Sequence, residues 1–249
     1  MLITSSYVDI STPDRGSMRT FVVAPTGEGK YPGIIFYSDI FQLTGPMLRS
    51  CARLAGYGFV VAAPEIYHRL EPPGAVIPFD DDGRTRGLED ASHTSVAHFD
   101  LDCRAALGYL GKRRNVSPGQ IGAAGFCLGG HLAFRAALQP EVRATVCFYG
   151  TGIHNGKLGQ DADAGSLQRA TEIRGELLLV WGINDPHIPE AGRGRIAATL
   201  RDAGVSFSER LYQAEHAFMR DEGPRYDAEA TDQAFGEMIS FFRRVFRPG

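Results

Sequence analysis

Cys127 lies in the run Gly125-Phe126-Cys127-Leu128-Gly129-Gly130, directly after the short apolar segment Ile121–Ala124 and directly before the apolar stretch Leu128–Leu138. Strand, G-x-C-x-G, helix is the pattern of a nucleophile elbow, with a thiol where a serine hydroxyl is more usual. Such a turn is sharp enough that the residues two before and two after the nucleophile must be very small, as Gly125 and Gly129 are. It lifts the sulfur above a sheet and aims helix N–H groups at it, which favours a thiolate and can hold an oxyanion. The same residues also suit a core cysteine packed between glycines, since cysteine is among the most buried residue types. A dinucleotide loop is a weaker reading still: Gly122, Gly125 and Gly129 miss G-x-G-x-x-G, and the strand lies mid-chain.

A nucleophilic thiol needs a base, and the base needs an orienter. Asp185 stands just past the apolar run Glu176–Trp181, 58 residues after Cys127, and His216 stands just past Phe207–Tyr212, 31 residues further on. Singly, an Asp before Pro186 is an ordinary turn former and a lone histidine is unremarked. Together they follow the order nucleophile, acid, histidine, each at the C-terminal end of a strand, which is the order used by α/β-hydrolases. The three are therefore a candidate triad. Other polar groups carry less. His93 and His98 miss the helical i, i+4 ligand spacing, Asp185-x-His187 is too short a signal, and Asp80-Asp81-Asp82-Gly83 lacks the alternation of a calcium loop. No metal and no cofactor are expected.

The elements that must hold these residues are legible as alternating patterns. Apolar, β-rich runs occur at Met18–Ala24, Gly33–Tyr37, Phe59–Ala63, Ile121–Ala124, Ala144–Tyr149, Glu176–Trp181 and Phe207–Tyr212. Several are nearly continuous, as strands covered on both faces are. Helical stripes run through Met47, Cys51, Leu54 and Ala55, through Val96, Phe99, Cys103, Leu107 and Leu110, and through Phe235, Met238, Ile239, Phe242, Val245 and Phe246. Leu128–Leu138 is apolar almost all round and reads as a short central helix. The βαβα order predicts a mostly parallel, doubly wound α/β sheet with helices on both faces, in one domain over residues 1–249. Two stretches break the rhythm, 65–93 and 151–175. Loops this long act as lids or binding loops, or are plain surface insertions.

Composition narrows the partners. Lys and Arg total 26 against 29 Asp and Glu, a net charge of −3, so the basic surplus of a nucleic-acid binder is missing. No apolar run nears the roughly 18 residues of a membrane span, and the first residues lack the basic and apolar regions of a secretory signal. Four cysteines at 51, 103, 127 and 147, without C-x-x-C spacing, are too sparse for a disulfide framework. The expectation is a cytoplasmic protein with free thiols and a small-molecule substrate, monomeric or weakly dimeric.

With these residues in view, the chain resembles the dienelactone hydrolase family, the cysteine branch of the α/β-hydrolases. The resemblance runs through YPGIIFYSDIFQL, AGYGFVVAAPEIYHR, GFCLGGHLAF, WGINDPHIP and EHAFMR, nearly the whole chain. It implies an α/β-hydrolase fold and hydrolysis of a small ester or lactone of the dienelactone type through a thioester. It implies Cys127 as nucleophile, His216 as general base and acid, Asp185 as its orienting partner, and the N–H groups of Leu128 and Ile40 as oxyanion donors. Where the family commonly has Glu before that isoleucine, a residue that takes part in activating the thiol, this chain has Asp39. Asp39 keeps the charge with a methylene less reach, and it equally suits an N-cap or turn. The family also holds a substrate carboxylate with arginines. Arg220 matches one, and Arg84 or Arg86 in the long loop would supply the other. Two other readings stay open: a ligand-binding or regulatory protein that has lost turnover, and a redox-sensing thiol.

Overall fold

The computed structural model describes residues 1–247; Pro248 and Gly249, the end of the expected domain, lie outside the described residues. Eight strands form one sheet: β1 (Ile3–Ser11), β2 (Ser17–Pro25), β3 (Tyr31–Tyr37), β4 (Val60–Pro64), β5 (Val116–Phe126), β6 (Val142–Phe148), β7 (Glu176–Gly182) and β8 (Phe207–Tyr212). Their spatial order is β1-β2-β4-β3-β5-β6-β7-β8. β2 runs antiparallel to both neighbours, and every pairing from β4 across to β8 is parallel. This is the mostly parallel α/β-hydrolase sheet expected. The continuous apolar strands β3, β4 and β7 are buried along almost their whole length, because helices cover both faces.

β1 is absent from the expectation. Its sequence ITSSYVDIS is polar and mostly exposed, with only Ile10 buried, so no apolar run marks it. It exists as an edge strand because it pairs with β2 along its full length, from Ile3 with Pro25 to Ser11 with Ser17.

Among the described residues, five helices lie between strands and a sixth follows β8: α1 (Gly45–Gly56), α2 (Asp81–His93), α3 (Val96–Lys112), α4 (Leu128–Ala136), α5 (Glu190–Asp202) and α6 (Ala228–Val245). α4 is buried all round, as its composition predicts. α6 starts where the Asp227 carboxylate accepts from Ala230 N–H and buries Phe235, Met238, Ile239 and Phe242.

The stretch 65–93 is not one long loop. Its second half is α2, begun by the Asp80 carboxylate accepting from Gly83 N–H. Gly83 and Gly87, which look like helix breakers in sequence, are its buried face. A Cβ on Gly87 would stand 2.5 Å from the Ile40 carbonyl oxygen, so this glycine lets α2 lie directly against the segment after β3. Tyr67 Oη donates to the Gly87 carbonyl and ties the preceding loop to the same point (3.1 Å). The stretch 151–175 holds only two short 3₁₀ turns. No helix among the described residues is long and apolar enough to cross a membrane.

β3 and β5 are neighbours whose connections leave in opposite directions along the sheet. That is the switch point at which open α/β sheets form a crevice beyond their strand ends. The segments after β3, β5, β6, β7 and β8 all emerge at this end.

Candidate active site

Cys127 joins β5 to α4 with φ 56° and ψ −119°, a backbone conformation rarely adopted by a side-chain-bearing residue and worth about 1–3 kcal/mol of strain. The strain is held in place by its neighbours. Cys127 N–H donates to the Phe148 carbonyl (3.1 Å), and the Cys127 carbonyl accepts from Gly130 N–H (2.9 Å) and Thr151 N–H (3.2 Å). The glycines on either side are obligatory. A Cβ on Gly125 would meet the Gly129 carbonyl oxygen at 2.0 Å, and one on Gly129 would meet the Ser38 carbonyl oxygen at 2.2 Å. Cys127 is partly exposed, whereas Cys51, Cys103 and Cys147 are buried.

Asp185 and His216 are both buried, and His216 Nδ1 lies 2.6 Å from Asp185 Oδ2. The other carboxylate oxygen accepts from the His187 N–H (2.8 Å), which fixes the carboxylate plane. Burial pulls the His216 pKa down. The negative charge of Cys127 and the Asp185 hydrogen bond outweigh it and lift the pKa to about 9. The ring is therefore held as an imidazolium beside the sulfur at neutral pH.

A cavity of about 470 Å³ opens above Cys127 and His216, lined by Ile40, Leu128, Arg84 and Arg220 among others. Ile40 and Leu128, the expected oxyanion donors, thus border the space next to the sulfur. Asp39 lies behind this wall, beside a much smaller void of about 20 Å³. Both of its oxygens are committed: Oδ1 accepts from Phe41 N–H (2.9 Å) and Oδ2 from Arg220 Nη2 (2.6 Å). Asp39 caps the turn after β3 and holds Arg220, and it makes no hydrogen bond to the sulfur. The Arg220 guanidinium is stacked on two rings, 4.7 Å from the Phe41 centroid and 4.5 Å from that of Phe79. Of the two loop arginines, Arg84 lines the cavity, while Arg86 is paired with Glu71 on the outside of α2.

Several residues at the site escape the sequence reading. Thr151 Oγ1 stands 4.0 Å from Cys127 Sγ, and the Thr151 carbonyl accepts from His131 Nδ1 (2.9 Å). His131 is fully buried on α4, four residues past the nucleophile, and its Nε2 is 2.7 Å from Ser166 Oγ. Burial first, and then the charge of Arg135, hold its pKa down to about 3, so it is a neutral ring with a fixed tautomer. Ser166 and Asp100 in turn hold Arg135. A histidine at helical spacing from the elbow is the only signal the sequence offers for this network. His187, whose ring lies edge-on to His216 at 4.7 Å between centroids, has the signal of sitting two residues past Asp185. Phe79, Lys157 and Arg225 carry no sequence signal at all.

Comparison with known proteins shows the family and the fold. Residues 18–246 match the model of the dienelactone hydrolase family. A Saccharomyces cerevisiae protein named "Putative carboxymethylenebutenolidase" is 38% identical, covering 99% of this chain and 94% of its own. A protein of the same name from Synechocystis is 30% identical, with 90% of each chain covered. Among solved structures, a "Putative Dienelactone Hydrolase" from Klebsiella pneumoniae superposes with a TM-score of 0.82 at 22% identity, over 98% of this chain and 100% of that one.

Proposed function

The chain belongs to the dienelactone hydrolase family, and from that premise we propose that it hydrolyses a small ester or lactone with Cys127 as nucleophile, His216 as proton carrier and Asp185 as orienter. The observation that carries this reading is the partly exposed thiol at a strained elbow beneath a large cavity, with His216, held by the buried Asp185, lining the same space. No cofactor enters the scheme.

In that scheme the Cys127 thiolate attacks the carbonyl carbon, and the carbonyl π electrons move onto oxygen. The resulting oxyanion is held by the N–H groups of Ile40 and Leu128, donors set in place before the charge develops. Collapse breaks the bond to the ester oxygen, which takes its proton from His216 and leaves; in a lactone it stays attached to the acyl chain. The thioester is then attacked by a water whose proton goes to His216, and the second collapse returns the acid and the Cys127 thiolate. Asp185 fixes the tautomer and plane of His216 throughout. Arg220 binds a substrate carboxylate, since a guanidinium forks onto both of its oxygens. Asp39 keeps Arg220 in place until such a carboxylate arrives.

Cys127→Ala is expected to abolish turnover of a dienelactone or a short 4-nitrophenyl ester while the folded far-UV spectrum persists, and the wild-type protein should show an acyl mass adduct on Cys127. Full activity in the variant would refute the reading. Tight ligand binding with no adduct across esters and lactones would favour a binding protein that has lost turnover, the reading that the Glu-to-Asp departure at Asp39 supports.

A further inference from the structure

Four cations line the cavity above Cys127: Arg84, Lys157, Arg220 and Arg225. Arg220 has its counter-ion in Asp39. Asp161, the single carboxylate on the lining, offsets one more and is itself anchored by Val96 N–H (2.7 Å). Two positive charges remain uncompensated. Among the described residues no carboxylate pairs with Arg84, Lys157 or Arg225.

These three come from separate segments: α2, the stretch after β6, and the loop that follows His216. Their convergence on one space is a product of the fold, not of a basic run. Arg84 and Arg225 both lie close enough to His187 to act on its ring. Burial, then the neighbouring His216 and these two guanidiniums, hold its pKa below the ordinary histidine value. One wall of the cavity mouth thus presents two guanidiniums and a neutral imidazole, with the Lys157 ammonium on the same lining. The volume of about 470 Å³ exceeds what a small lactone acid fills and suits a larger ligand.

Arg84 and Lys157 are exposed and Arg225 is half-buried, so their unpaired charges meet solvent at the cavity mouth and draw an anion there. We propose that the substrate carries a doubly charged anionic group, a phosphate monoester or a pair of carboxylates, which Arg84, Lys157 and Arg225 bind at the cavity mouth. This site is separate from the carboxylate position at Arg220. The inference rests on the hydrolase reading given above. Guanidiniums fork onto phosphate or carboxylate oxygens and lysine serves as a point charge, which fits either form of dianion.

The test is a charge series of esters with a common leaving group. It uses 4-nitrophenyl butyrate, mono(4-nitrophenyl) succinate, the mono(4-nitrophenyl) ester of tricarballylic acid with two free carboxylates, and 4-nitrophenyl 4-(phosphonooxy)butyrate. At low ionic strength kcat/KM for one of the dianions should exceed that for the succinate by about tenfold, the scale of one or two charge-assisted contacts. The dianion that does so identifies the group. The step should shrink in about 0.5 M salt, where charges at a cavity mouth are screened. In Lys157→Gln/Arg225→Gln the ratio of dianion to succinate should fall to about one, through KM, the mark of lost ground-state binding. Equal rates for the succinate and both dianions, or a ratio untouched by the double variant, would overturn the anion site. A flat series with an acyl adduct on Cys127 overturns it alone; absence of any adduct overturns the hydrolase reading beneath it.

Discussion

At His216, burial and charge act in opposite senses, and the ring is the place where the chemistry can be read directly. Burial favours the neutral imidazole, while the Cys127 charge and the Asp185 carboxylate favour the imidazolium and lift the pKa to about 9. Removing the sulfur removes the first of those supports. In Cys127→Ala the His216 pKa, followed by NMR of the ring protons, should therefore drop below about 9; an unchanged value would mean that the thiol and the ring do not interact. Asp39 has one oxygen on Phe41 N–H and the other on Arg220, and makes no hydrogen bond to the sulfur.

Among the elements, α2 is the one whose sequence misleads. Pro, Gly and Asp dominate 65–93, and the ordinary reading of such residues is a loop. The glycines instead clear a path for backbone to approach backbone, Gly87 against Ile40 and Gly83 against Pro78. Periodicity cannot reveal that, because glycine carries no hydrophobic signal of its own. A substitution pair separates the two roles of a helical glycine. Gly108 on α3 has nothing within 4 Å of an added Cβ, so Gly108→Ala should raise stability by about 1 kcal/mol through helix propensity. Gly87→Ala should lower stability instead, and by displacing Ile40 it should reduce kcat/KM about tenfold or more, since small misplacements of a site are costly. Thermal melts and ester kinetics on both variants check this; a stabilised, fully active Gly87→Ala protein would mean that α2 does not press on the segment holding Ile40. By contrast α1, α3 and α6 follow their apolar stripes closely, because each buries a single face against the sheet.

For the whole molecule, the sheet is what divides four equivalent cysteines into two kinds. Cys147 lies within β6, and Cys51 and Cys103 lie on the buried faces of α1 and α3. Burial raises all three thiol pKa values, that of Cys103 to about 12. Cys127 alone lies past a strand end, on the lining of the cavity. Iodoacetamide at neutral pH should accordingly add one label to the native protein, mapped to Cys127 by peptide mass, and four after denaturation. More than one rapid native label would contradict this division.

Local sequence carries the elbow with its two small residues, the seven apolar strands, the single-faced helices, and the order of Cys127, Asp185 and His216. Each is written in neighbouring residues, through apolar periodicity or through glycine where no side chain fits. Contacts between distant segments make β1 a strand, turn Arg84 rather than Arg86 to the cavity, set Asp39 on Arg220 and let His131 brace Thr151. The same holds for Lys157 and Arg225 beside Arg84 around one space. These are relations between segments far apart in the chain. Their energies come from pairing, burial and charge across the crevice, and no window of sequence contains both partners.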